Sequence, residues 1–117
     1  MSYIDVLKNG KKILGGVKLC STFQENVRGY MFRKKAQFNG MLLTSGKKQK
    51  MPIHMFFVWF PLNVYWIDDR FVVQHKKERA RPFMPQLSSK KPVKFVLESI
   101  KDLKLNVGDR LMFRYKH

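Results

Sequence analysis

Three things are scarce in this chain of 117 residues: cysteine, acid and uninterrupted apolar sequence. Cys20 is the only cysteine, which excludes an intramolecular disulfide and a cysteine-based zinc site. It lies in an apolar-alternating stretch, so a buried structural thiol is expected. The most apolar run, Met55 to Ile67, is broken by Pro61 and Asn63. It is shorter than the ~20 residues that cross a bilayer as a helix, so no transmembrane segment is expected. Met1 to Gly10 carries polar and charged residues early and lacks the apolar segment of a signal peptide. These absences lead to the expectation of a cytoplasmic protein.

Acid is the third scarcity. Eight Asp and Glu stand against 24 Lys and Arg, a formal net charge of +16. Such a field favours polyanionic partners: RNA, DNA or an anionic surface. A solvated lysine-rich surface without any partner gives the same total, because net charge does not locate a patch. The charge is unevenly spread, however. Arg28 to Lys50 holds seven basic residues and no acid, and Arg70 to Lys94 holds eight with only Glu78 opposing them. Between the two blocks lies an aromatic segment.

Recognisable chemistry is also missing. His54, His75 and His117 have no metal-ligand spacing, and no nucleotide-binding loop or nucleophile–histidine–acid order is present. No cofactor or metal is implied. Four of the eight acids have structural readings: Thr22 with Glu25 has capping-box spacing, Asp68-Asp69 suits a tight turn, and Gly108-Asp109 suits another. Glu98, at the end of an apolar strand pattern, is the least explained.

What the chain does have is strand signal at short intervals. Tyr3 to Leu7 and Lys12 to Leu14 flank Asn9-Gly10, a strong hairpin turn. Gly15-Gly16 is expected to break that run before Val17 to Ser21. Further strands are expected at Gly40 to Thr44, Ile53 to Phe60, Leu62 to Ile67, Phe71 to His75, Val93 to Leu97 and Arg110 to Tyr115. Lys101 to Leu105 is expected to make one helical turn. Arg79 to Pro92, with three prolines, reads as a loop. The fold class expected is mainly β, at the margin of α+β. It is a single domain over 1–117, an antiparallel barrel-like or sandwich structure with one capped short helix near 23–31.

Several segments together resemble a known pattern. Arg28-Gly29-Tyr30-Met31-Phe32-Arg33 resembles an "RGLM" signature, and Gly40-Met41-Leu42-Leu43 resembles the "GMLF" that follows it. Ile53 to Asp68 resembles the "IHMFFVxFPLDVxxID" block in its archaeal-like form. Val96-Leu97-Glu98 and Val107-Gly108-Asp109-Arg110 match a closing "VLE…VGDxV". In order and spacing these are similar to the domain-of-unknown-function 192 family over about 17–115. The resemblance implies a compact, mostly β domain and no assigned activity. Asn63 stands where the family usually has an acid, and Ser99-Ile100-Lys101-Asp102 replaces a glycine-containing stretch.

Two functional expectations follow. The first is a basic binding module for RNA or another polyanion. Its candidate contacts are Arg28, Arg33, Lys34 and Lys35 in one block and Arg79, Arg81, Lys90 and Lys91 in the other. The aromatic residues Phe56, Phe57, Trp59, Phe60, Tyr65 and Trp66 are read as core rather than as a base-stacking surface. The second is a small-molecule binder or enzyme. Its pocket would lie between the Arg28–Met31 helix and the Trp59–Asn63 segment, with Arg28, Met31, Met41, Trp59, Asn63, Asp68 and Glu98 as candidates. An internal ion pair of Arg28 with Asp68 or Glu98 is the structural alternative for that arginine.

Overall fold

The computed structural model describes residues 3–20, 39–49, 62–80 and 92–116. They form seven strands: β1 (Tyr3–Lys8), β2 (Lys11–Cys20), β3 (Gly40–Gln49), β4 (Leu62–Ile67), β5 (Val73–Ala80), β6 (Val93–Ser99) and β7 (Met112–Lys116). All belong to one sheet in the order β5-β4-β6-β3-β2-β1-β7. Among the described residues there is no helix. The expected capped helix near 23–31 and the expected strand at 53–60 lie outside them.

The β1–β2 hairpin turns at Asn9 and Gly10, both in the left-handed region with φ of 54° and 76°. That pair of positive angles matches the strand twist, as the Asn-Gly dipeptide foretells. The expected break at Gly15-Gly16 does not occur. Register instead passes from Ile4↔Val17 to Val6↔Leu14, which leaves one extra residue on β2. Gly16, at φ 66°, takes up this bulge without a Cβ penalty, so the strand bends and continues.

The sheet is mixed, not antiparallel throughout. β2 and β3 pair in parallel, with Val17 opposite Gly40 and Leu19 opposite Leu42, whereas every other ladder is antiparallel. Nor does the sheet close into a barrel: β5 and β7 remain its edge strands. One isolated bridge, Val72↔Arg110, joins the approaches to these two edges. Backbone bonds from Val73 N to Asp109 O and from Leu111 N to Phe71 O reinforce it.

Strands in the middle of the sheet are buried on both faces, which explains their nearly unbroken apolar runs. One face contributes Leu42, Tyr65, Ile67 and Leu97 to a core shared with Ile4, Val6, Val17 and Leu105. On the other face Met41, Leu43, Val64, Trp66 and Val96 are also buried. Tyr65 and Trp66 are therefore core residues, as the sequence suggested. The helical turn expected at Lys101 to Leu105 is absent. The Leu103 amide donates to the Tyr65 hydroxyl and the Lys104 amide to Asp102 Oδ1, while Lys104 turns left-handed at φ 54°. These side-chain acceptors satisfy the backbone in place of helical bonds.

Candidate functional site

β6 places Glu98 in the interior of the sheet. Its neighbours are Met41 on β3 and Val64 on β4, both directly opposite it. Beyond them in the same cross-strand row stand Lys18 on β2 and Lys77 on β5. Two strand spacings put each lysine backbone about 10 Å from that of Glu98. Gly40, next to Met41, is pressed against β6: a Cβ there would come within 2.6 Å of the Glu98 carbonyl oxygen. Glu98 is buried, and burial pushes its carboxyl group up to about 7. Among the described residues no side chain donates to it. At neutral pH this carboxyl group therefore divides between its neutral and charged forms.

The other pocket candidates are placed differently. Asn63 lies opposite Ser99 on β6. Its amide donates to the carbonyls of Ser99 (3.4 Å) and Ile100 (3.3 Å), and its oxygen accepts from the Arg79 amide (2.9 Å). An aspartate could accept that last bond but could not make the first two. Asp68 directly follows β4, four residues and about 13 Å along the chain from Val64. Its carboxylate accepts from the amides of Arg70 and Val72 and from Gln74 Nε2 at 2.7 Å. It is a fully engaged turn residue. The structure thus brings Met41 and Glu98 together and holds Asn63 and Asp68 in backbone-supporting roles. Arg28, Met31 and Trp59 lie outside the described residues.

Of the polyanion candidates, Arg79 alone is described. It is exposed on β5 at φ 51°. Arg28, Arg33, Lys34, Lys35, Arg81, Lys90 and Lys91 lie outside. The described charges nevertheless separate by depth. Asp5, Asp68 and Glu98 are buried, whereas no lysine or arginine of described burial is. Asp5 lies 3.3 Å from Arg114, and Asp109 lies 3.0 Å from Lys8. Asp109 also accepts from the Asn106 amide, and that bond together with Lys8 holds it below the usual carboxylate range. Tyr65 is pushed up to about 12, chiefly by burial, and serves as a hydrogen-bonding post rather than an acid.

Sequence reasoning missed an aromatic cluster at one end of the curled sheet. Phe71 stacks on Phe95 with ring centroids 5.5 Å apart and 21° between planes. Both meet the edge of Phe113, at 5.5 and 5.3 Å. These residues come from the β4–β5 turn, β6 and β7, so no local pattern announces their meeting. The one available signal was that Phe71 follows the Asp68-Asp69 turn, where an apolar ring is out of place.

The decisive comparison is with protein families: the model of DUF192, an uncharacterized ACR family, matches residues 5–113. The chain belongs to the DUF192 family. Its fold recurs in solved structures of low sequence identity. A "putative transcription regulator" from Sinorhizobium meliloti 1021 is 24% identical, with a TM-score of 0.77 over 96% of this chain and 92% of that one. A protein of unknown function from Novosphingobium aromaticivorans DSM 12444 is 20% identical, with a TM-score of 0.79 over 94% of this chain and 83% of that one. Among curated proteins, none matches the chain significantly. DUF192 membership carries the β-rich fold and no activity. No helix among the described residues is long and apolar enough to cross a membrane.

Proposed function

We propose that the protein is a small basic binding module for RNA or another polyanion. The observation that carries this reading is the partition of charge. Three of the eight acids are buried in the fold, and Asp109 is tied to Lys8, while the described lysines and arginines reach solvent. A partner therefore meets accessible cations at the surface, while part of the acid is withdrawn from direct contact with it. Buried Glu98, divided between its neutral and charged forms at neutral pH, subtracts less than a full charge.

Titration of a labelled RNA and of a neutral polysaccharide across a salt series tests the proposal. Binding of the RNA should weaken linearly in log–log form, by a slope of about 0.7 for each phosphate of a single strand neutralised. Equal affinity for the neutral polymer, or a flat salt response, would remove the polyanion reading.

A second reading is a small-molecule binder or enzyme, and one observation favours it. Glu98 is a buried carboxyl group poised near neutrality opposite Met41, which is the kind of perturbed acid found at functional sites.

A further inference from the structure

We propose that the Phe71–Phe95–Phe113 cluster is a base-stacking site, so that the polyanion bound is a single-stranded nucleic acid. This inference rests on the polyanion reading and narrows it to one ligand class. Phe71 is 38% exposed although both Phe95 and Phe113 pack against the core beneath it. Its inner contacts are the offset stack on Phe95 and the edge of Phe113, which leaves ring surface open to solvent. A ring in this state is an aromatic step that a base can extend.

The ring is also held in place at a cost. Phe71 has φ 66°, a left-handed conformation that bulky side chains rarely adopt. Its amide donates to Asp68 O at 3.1 Å and its carbonyl accepts from Leu111 N at 2.8 Å, so the backbone is fixed on both sides. A merely hydrophobic cap would need neither the strain nor the exposure. On β7 the same strand face that carries Phe113 also carries Tyr115, two residues on and 66% exposed. Tyr115 thus stands about 7 Å along the strand from Phe113, on the same side.

Three cations lie near the cluster in sequence, backbone pairing or space. Arg70 precedes Phe71 and Arg110 bridges Val72; both are exposed. The Lys94 ammonium lies 5.6 Å from the Phe95 ring centroid. Of the nearby acids, Asp68 is engaged by the turn and Asp109 by Lys8 and Asn106. Asp69 is the exposed acid of this turn. Duplex nucleic acid hides its base faces, whereas a single strand offers them together with phosphates for the flanking cations.

The test compares a base-bearing oligonucleotide with an abasic oligonucleotide of the same length and charge, across a salt series. Wild-type protein should bind the base-bearing strand about 5- to 150-fold more tightly, the range for a single stacked base. Phe71→Leu, which keeps an apolar cap, should lose that advantage while the salt slope stays unchanged. Phe71→Tyr should retain it. Tyr115→Leu, on an exposed edge strand where folding is not at stake, should weaken the base-bearing strand selectively. Equal wild-type affinity for the two strands overturns the stacking site and leaves the polyanion reading standing. Equal losses on both strands in the two leucine variants overturn it likewise. Absence of salt-dependent binding to either strand removes both proposals together.

Discussion

Glu98 offers the sharpest quantitative test of the physical reasoning. Burial raises its carboxyl group from an ordinary 4.5 to about 7. The sign follows from proton linkage. Between these two values the unfolded chain has released the proton while the folded chain still holds it. Stability therefore falls as pH rises through this window and levels off above about 7. The loss is about 1.4 kcal/mol for each pH unit, or roughly 3 kcal/mol in all. Below about pH 4.5 both states are protonated and the effect vanishes. Glu98→Gln places a neutral side chain of the same shape in the same row between Met41 and Val64. Urea denaturation of both proteins at pH 5 and pH 8 separates this group from every other titrating residue, because the common contributions cancel in the difference. The wild type should lose about 2–3 kcal/mol relative to Glu98→Gln between the two pH values. Parallel pH profiles would refute the argument, since they would mean that the folded protein solvates or pairs this carboxylate well.

Other positions give independent checks. Gly40→Ala drives a methyl group against the Glu98 carbonyl at the β3–β6 ladder. It should cost about 1–3 kcal/mol by overpacking, read as a lowered melting temperature. Asn63→Asp keeps the acceptor for the Arg79 amide and deletes both donors to the 99–100 carbonyls. Its cost should be about 1–3 kcal/mol in chemical denaturation at pH 7, with part recovered at low pH as the new carboxyl group protonates.

Some of this was written locally in the chain. Asn9-Gly10 specified its hairpin, and the expected strand at Val93 to Leu97 forms most of β6. Asp68 was legible as a turn residue because its side chain serves amides two and four residues away. The parallel β2–β3 pair was not legible, since alternation records which face a residue takes and not the direction of the neighbouring strand. The bulge at Gly16 was read as a break because a glycine pair carries the same signal in both cases. Lys101 to Leu105 failed as a helical turn because its acceptor, the Tyr65 hydroxyl, arrives from another strand. Glu98 stood out by having no local explanation. The phenylalanine cluster remained hidden because its three members are separated along the chain and meet only through tertiary packing.

The pairing of β1 with β7 has a consequence for how the molecule is made. Tyr3 lies opposite Lys116 and Leu7 opposite Met112. The hairpin of β1 and β2 can form as soon as its residues leave the ribosome. The outer edge of β1 then waits for β7, which begins only at Met112, to be synthesised before its partner exists. During that interval an apolar strand carrying Ile4 and Val6 presents unpaired amides and carbonyls. Its growth period is thus its most exposed one, and low-temperature expression, which slows encounters between such edges, should favour recovery of the native fold.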